Sequence, residues 1–384
     1  MKSLIIVDLL PHSSGGHFRI WLERTLREAV RHHDNIVVYL GDGADAEALD
    51  PGCVRTSARV AFHDVRGVRS VFDSGSHIFG AIAAHQRRRH RGLGEPPVLV
   101  MWGEHLLNQD VHFPPARRWW SLGSSAPFSR PWGTFFSFGS LAYKGSPPHE
   151  QESRVHALVG EDDLCRGVFC WDEVVARQLG GKLIYLPNVE DLMGDPGWRV
   201  PETRKLVLGS VGQLWGYRSI NLLAEMVGRE TEVSFFAAGQ IFPESYSPEA
   251  AAMLARPPAD LKLEPGRLPD EAALNERLRG LDGFVLDSRT YKVPSGLSIR
   301  AMALGRPLVS LPNDSWAARH IAEDGVGVFW ARGAGNLARS LREWSANGGP
   351  GRARKLALRL SDQAGLGAAY AEMFQRLGSA RTDG

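Results

Sequence analysis

Two short loops in the sequence carry residues suited to holding a phosphate. The first, Ser13-Ser14-Gly15-Gly16, follows the apolar run 4–8 and precedes a stretch where Phe18, Trp21, Leu22, Leu26, Ala29 and Val30 recur at helical spacing. Gly15 and Gly16 let the backbone approach a ligand closely, and the helix start behind them presents N–H groups at a positive dipole end. The same four residues also suit an ordinary strand-to-helix turn capped by Ser13 or Ser14. The second loop is Ser295-Gly296-Leu297-Ser298, where another helix begins. Backbone N–H groups of Gly296, Leu297 and Ser298 can meet a phosphate there without any charged side chain. Leu297, Ile299 and Met302 give that helix an apolar side, so an end that binds and a face that packs are compatible. Gly305 and Pro307 then stop it ahead of a buried strand.

The elements that must position these loops alternate along the chain. Strands are expected at 4–8, 36–40, 97–102, 167–171 and 183–186, with helices at 18–30, 76–89 and 173–179. A second series has strands at 205–211, 232–237, 261–264, 283–286 and 307–311, with helices at 219–227, 271–278, 295–304 and 316–323. Between the series, the run 191–202 is rich in Gly, Pro and charge and reads as a linker. The expected architecture is α/β, with two tandem Rossmann-like doubly wound domains facing a cleft. Their extents are 1–192 and 204–360, joined by a linker at 193–203. Residues 352–377 read as helical, 361–384 form a closing segment that crosses back to the first domain, and the tail after 378 is expected to be disordered. The segment 106–146, with Phe113, Trp119, Trp120, Phe128, Trp132, Phe135, Phe136, Phe138 and Tyr143 among prolines and glycines, reads as irregular.

Composition narrows the class. The 384 residues exceed one ordinary core, and 43% hydrophobic with 23% charged residues describe a globular protein. A formal net charge of +2 gives no general attraction to nucleic acid. Cys53, Cys165 and Cys170 show no metal-ligand spacing and fit a reducing compartment. Asp8 interrupts the opening apolar run, which therefore reads as a first strand, not a signal peptide. A cytoplasmic protein is expected.

Three stretches together resemble one family. Residues 301–309, AMALGRPLV, are similar to the Ala-Met-Ala-x-Gly-x-Pro-Val-Val signature of the large retaining glycosyltransferase family that builds bacterial polysaccharides and glycolipids. Residues 209–223, GSVGQLWGYRSINLL, resemble its Gly-Arg-Leu-x-x-x-Lys-Gly motif, and 185–191, YLPNVED, its Pro-Asn-Gly-Val-Asp strand ending. The resemblance touches both domains and keeps the family's order. It implies the B-type glycosyltransferase fold, with the acceptor on the first domain and a nucleotide-sugar donor on the second. Arg218 stands at the family's diphosphate lysine and keeps its charge and adds a bidentate fork, whereas Gln213 stands at its arginine. Lys292 and Arg300 occupy the places of two glutamates that normally contact the donor sugar and ribose. The pattern Tyr291…Ser295-Gly296 is closer to a variant branch.

The resemblance also implies catalytic roles on the first domain, where Trp102-Gly-Glu-His105 follows a buried strand. His105 would position the donor sugar and Glu104 would act as acceptor-side base; a loop histidine bonded to backbone is the plainer reading of His105. Gly266, Arg267 and Leu268 would meet the nucleotide base, with Arg289 and Tyr291 facing the same cleft. Diphosphate contacts fall to Gly15, Gly16, Gln213, Arg218, Ser295, Gly296, Leu297 and Ser298. No Asp-x-Asp motif or cluster of metal ligands occurs in the sequence, so no metal or other cofactor is expected. The expected activity is metal-independent, retaining hexosyl transfer from a nucleotide-diphosphate sugar to a glycan, glycolipid or lipid-linked acceptor. Two other readings stay open: a non-catalytic partner protein, and a nucleotide-sugar epimerase, which would need paired carboxylates. Arg87-Arg-Arg-His-Arg91 with the aromatic segment 106–146 suggests peripheral membrane contact, against the alternative of a buried aromatic cluster.

Overall fold

A computed structural model describes residues 2–8, 17–41, 59–64, 96–101, 130–136, 164–179, 181–190, 192–287, 295–313, 315–332 and 335–378. The chain forms two compact units: unit 1 is Met1–Leu186 with Ala364–Gly384, and unit 2 is Pro187–Gln363.

Unit 1 is a doubly wound parallel sheet. Its elements are β1 (Ser3–Asp8), α1 (His17–His32), β2 (Asn35–Leu40), β3 (Arg59–Asp64), β4 (Val98–Val100), β5 (Trp132–Phe136), β6 (Cys165–Cys170), α2 (Glu173–Leu179) and β7 (Leu183–Tyr185). Among the described residues the strand order is β3-β2-β1-β4-β5-β6-β7, and every pairing is parallel. β1 and β2 are buried along their whole length, which explains their unbroken apolar runs. The helical stripe of α1 is real: Trp21, Leu22, Leu26 and Ala29 are all buried. One expectation is corrected here. Part of the aromatic segment is not irregular but forms β5, in which Trp132 is 2% and Phe135 0% exposed. Those aromatics are core and do not meet a membrane; aromatic residues and threonine suit a pleated strand, and a register shift after Trp132 leaves Arg166 of β6 without a partner residue in the ladder.

Unit 2 repeats the plan with β8 (Leu206–Trp215), a wide π-type turn (Gly216–Ile220), α3 (Asn221–Met226), β9 (Val233–Phe242), a 3-10 turn (Pro243–Ser245), α4 (Pro248–Ala255), β10 (Leu261–Pro265), α5 (Glu271–Arg279), β11 (Gly283–Val285), α6 (Gly296–Ala303), β12 (Leu308–Ser310), α7 (Trp316–Asp324), β13 (Gly327–Phe329), α8 (Leu337–Ala346) and α9 (Gly349–Leu360). The strand order is β10-β9-β8-β11-β12-β13, again parallel throughout. Side chains of Ser247, Asp270 and Ser315 cap the starts of α4, α5 and α7. The Gly/Pro-rich run near 195–200 is held to this unit. Arg306, 3% exposed, reaches Asp195 and lies 4.0 Å from the centroid of the Trp198 ring, and Val200 is buried.

The chain then closes unit 1 with α10 (Gln363–Gly378), where a break at Ser361 and Asp362 divides what reads in sequence as one helical run. Leu366, Tyr370, Met373, Phe374 and Leu377 are buried. Gly133 and Gly167, partners across β5 and β6, leave a notch for Met373: a Cβ on either would fall 2.6 or 2.9 Å from its Sδ. The Tyr370 hydroxyl lies 2.7 Å from Thr25 Oγ1, inside the core. Phe374 meets the edge of the His33 ring at 4.8 Å. Burial pushes the His33 imidazole down to about 4 from an ordinary value near 6.5, and the neighbouring Lys2 and His32 push the same way, against the Ala29 carbonyl and Asp34. The native state therefore holds His33 neutral, and protons bind the unfolded chain first. Unit 1 should keep its full stability above about pH 6.5 and lose about 3 kcal/mol as pH falls towards 4. Urea midpoints measured between pH 7 and 4.5 should fall less steeply in His33→Gln than in the unaltered protein. Among the described residues no helix is long and apolar enough to cross a membrane.

Candidate active site

In each sheet the strand order reverses beside the first strand, between β1 and β4 in unit 1 and between β8 and β11 in unit 2. Open α/β sheets bind ligands beyond the carboxyl ends of the strands at such a reversal. Glu104, His105, Gly15 and Gly16 lie outside the described residues, as do Arg289, Tyr291 and Lys292. Of the candidates in unit 2, Gln213, Arg218, Gly266, Arg267, Leu268 and Ser295–Ser298 are described.

β8 and β9 run past their neighbours. They stay paired to Trp215 and Phe242, whereas β10 pairs with β9 only as far as Gly239 and β11 pairs with β8 only at Leu208 and Gly209. The extension starts at glycines in left-handed backbone, Gly212 (φ 100°) and Gly239 (φ 141°). A Cβ on Gly239 would lie 1.8 Å from the Gly212 carbonyl oxygen, so no other residue fits. Gly266 (φ 119°) continues the row by donating its N–H to the Gly239 carbonyl at 2.9 Å. Each glycine precedes an exposed polar residue: Gln213, Gln240 and Arg267. Gln213, Gly266, Arg267 and Leu268 are sequence candidates, and the structure sets Gly239 and Gln240, which were not, in the same row. The signal was a repeated Gly-polar-aliphatic triplet, Gly-Gln-Leu, Gly-Gln-Ile and Gly-Arg-Leu, evenly spaced along the chain. On the extended arm Trp215 stacks on Phe242 with centroids 3.7 Å apart, and its Nε1 donates to Gln213 Oε1 at 3.3 Å.

The loops at the reversal are tied together. Arg218 sits in the π-type turn after β8, and its carbonyl accepts the Asp287 N–H at 2.5 Å, just past β11. Asn313, past β12, reaches Asp287 Oδ1 at 3.5 Å. Leu297 reaches back to β8: a Cβ on Gly212 would fall 2.7 Å from its Cδ1. Arg218, Leu297 and Asp287 are thus brought together at the carboxyl ends of β8 and β11, next to Gln213. The Ser298 N–H does not point outward, because it bonds the Ser295 carbonyl at 2.9 Å, and its hydroxyl donates to the same oxygen at 2.7 Å. Gly296 and Leu297 are the first-turn positions whose N–H groups have no acceptor within the helix.

The largest surprise is Glu190. Its side chain and that of Arg300 are 7% and 8% exposed, and Arg300 donates Nε and Nη2 to Glu190 Oε2 at 2.9 and 2.8 Å. Arg300 Nη1 bonds Glu271, the first residue of α5. Burial works against the Arg300 charge, but the Glu190 and Glu271 carboxylates outweigh it and raise its pKa. Arg300 occupies a position where the family resemblance leads one to look for a carboxylate. The structure brings a carboxylate to it from another loop. Sequence contained Glu190 within YLPNVED, but no local pattern links it to a residue on α6. Among the described residues no group of three or more His, Cys, Asp or Glu is placed to hold a metal ion.

No protein-family model and no curated protein matches the sequence. Solved structures do match along nearly the whole chain. HepE of Anabaena, in complex with UDP and glucose, is 15% identical with a TM-score of 0.59, covering 98% of this chain and 100% of that one. Sucrose-phosphate synthase from Thermosynechococcus elongatus is 12% identical at 0.62, covering 98% and 99%. The lipopolysaccharide outer core galactosyltransferase WaaB, in its apo form, is 14% identical at 0.56, covering 98% and 99%. At such identities the likeness speaks for architecture, and together with the two parallel sheets it establishes that the chain has the B-type glycosyltransferase fold.

Proposed function

We propose that this protein is a cytoplasmic glycosyltransferase that moves a hexose from a nucleotide-diphosphate sugar to a glycan, glycolipid or lipid-linked acceptor. The observation that carries the proposal is the meeting of the Arg218 turn, the end of β11 and the start of α6 at the strand-order reversal of unit 2. The charge that develops as the glycosidic bond breaks falls on the departing diphosphate. Arg218, Gln213 and the Gly296 and Leu297 N–H groups are assigned to stabilise it, in place of a metal ion. Gly266, Arg267 and Leu268, further along the same strand ends, are assigned to the base, with Arg289 and Tyr291. HepE's complex with UDP and glucose supports a uridine nucleotide carrying a hexose. On the acceptor side Glu104 and His105 are assigned because they follow β4, the strand beside the reversal in unit 1. Retention of configuration follows the family resemblance.

Calorimetric titration with UDP, GDP, dTDP and ADP, without metal, tests this reading. One nucleotide should bind selectively in the micromolar range. Arg218→Ala should weaken it by about 1.5–3 kcal/mol, roughly 10- to 150-fold, with thermal stability unchanged. Absence of binding by all four would favour a non-catalytic partner protein. That reading has one observation in its favour: Arg300, where a donor-contacting carboxylate would be looked for, is engaged inside the protein.

A further inference from the structure

Trp198 gathers three guanidinium groups on unit 2. The turn from Asp195 to Trp198 is closed by the Trp198 N–H, which donates to the Asp195 carbonyl at 3.2 Å. Arg354 of α9 donates Nη2 to the same carbonyl at 2.5 Å and to the Trp198 carbonyl at 3.3 Å. Arg199 donates Nη1 to that Trp198 oxygen at 2.9 Å, so two guanidinium groups converge on one acceptor. Arg306, 3% exposed, lies against the Trp198 ring and bonds Asp195 Oδ2 through Nη1 at 3.3 Å. Arg306 stands just ahead of β12, as Asp282 stands just ahead of β11. The cluster therefore belongs to the amino ends of the strands, the opposite ends from the crevice.

The carboxylates nearby do not balance these charges. Asp195 serves Arg306, and Asp282 is held by Arg204 through Nη1 and Nη2 at 2.6 and 2.9 Å. Among the described residues, Arg199 and Arg354 bond carbonyl oxygens and no carboxylate. The Nε–H groups of Arg306 and Arg354 are buried and meet no acceptor, a state that buried donors seldom keep without a bound water or ion. Burial pushes the Arg306 guanidinium down to about 10, against the pull of Asp195 and Asp282. It lowers that of Arg354 as well, where the Arg199 charge adds to the effect. Three guanidinium groups with one carboxylate leave two positive charges in excess. A tetrahedral oxyanion offers oxygens to two guanidinium forks at once and supplies the missing charge. We propose that Arg199 and Arg354 bind a phosphate group at the 195–198 turn, which Arg306 and Trp198 hold in place. The phosphate is that of a soluble compound or of a lipid headgroup. Leu358, 66% exposed and one helical turn beyond Arg354, would meet the apolar part of a lipid. The site is separate from the proposed donor site and does not depend on it.

The test titrates inorganic phosphate into the full chain by calorimetry at fixed ionic strength. Flotation with phosphatidylglycerol vesicles runs beside it, with phosphatidylcholine as the comparison. Arg199→Ala should weaken phosphate binding about tenfold or more, the worth of a charge-assisted contact. Its side chain is exposed, so circular dichroism should show the fold intact. Arg354→Gln should weaken binding likewise; if that variant does not fold, Arg199→Ala decides alone. Arg218→Ala, in the crevice, should leave this binding in place. Phosphate binding without flotation assigns a soluble phosphate compound. Flotation with phosphatidylglycerol that is lost in both Arg199→Ala and Leu358→Ser assigns a headgroup. Phosphate binding that Arg199→Ala leaves unchanged, or that only Arg218→Ala removes, overturns the proposal. So does the absence of binding to phosphate and vesicles alike.

Discussion

Ending the chain at Gln363, so that α10 is lost, is expected to leave unit 1 unable to reach its native state while unit 2 still folds. The helix contributes Leu366, Tyr370, Met373, Phe374 and Leu377 to the core of unit 1. Burial of each such side chain is worth about 1.5–3 kcal/mol, so the group approaches the whole net stability of an ordinary domain, about 5–15 kcal/mol. The loss is not only area. Thr25, 0% exposed, would lose the hydroxyl of Tyr370, and the notch formed by Gly133 and Gly167 would open where Met373 sits. Phe135 and Phe169 would each lose a ring neighbour in Tyr370. Near-UV circular dichroism and urea unfolding of the truncated and full-length chains decide the matter. The truncated chain should show one cooperative transition in place of those of both units, and a truncated chain that kept both would refute the expectation.

Arg300→Met should destabilise unit 2 by about 3–5 kcal/mol, the usual effect of removing one member of a buried ion pair. Methionine fills much of the space, so the penalty comes from leaving the Glu190 carboxylate, 7% exposed, without its two charge-assisted bonds. If that account is right, the double variant Glu190→Gln with Arg300→Met should recover a large part of the loss. Recovery in a double-mutant cycle separates the electrostatic cause from simple repacking. A surface pair gives the contrast. Arg342 with Glu232, the latter 63% exposed, should change stability by about 1 kcal/mol or less when removed. An equal effect at both sites in urea denaturation would discredit the reasoning.

The alternation of apolar runs with helical stripes made both parallel sheets legible, because strands buried on both faces leave continuous apolar stretches. β1, β2, β4, β6, β8, β9, β11 and β12 are foreshadowed in that way, and α1, α2, α5, α6 and α7 by their stripes. β3 was not, since Arg59, His63 and Asp64 break the run of an edge strand. β5 was hidden because its aromatics looked like one part of a longer irregular segment. β8 and β9 proved longer than the expected 205–211 and 232–237, continuing past the left-handed glycines Gly212 and Gly239 to Trp215 and Phe242. The helix α4 carried a weak signal, its Ala-rich sequence lacking a marked apolar face, whereas α8 has Leu337, Leu341 and Trp344 at clear helical spacing and was simply not assigned. At the candidate site, residues recognisable by local pattern, Gln213, Arg218 and Leu297, lie near the ends of β8 and β11, whereas Ser298 is turned inward. Glu190 could not be read, because its importance comes from a partner 110 positions away. A local pattern records what a residue prefers, and not what the fold sets beside it.

The division of unit 1 around unit 2 has a consequence for how the protein is made. The ribosome delivers β1 to β7 first, yet the helix that completes their core is encoded after Pro187–Gln363. At about 5–20 residues per second, synthesis of that intervening stretch takes roughly 9–35 s. For that interval the nascent sheet of unit 1 carries an uncovered apolar face around Phe135 and Phe169, and by its end unit 2 has its entire sequence and can fold before unit 1 is complete. Order of synthesis and order of folding are thus reversed, and the earlier-born half is the one that must be shielded from aggregation until the last helix arrives.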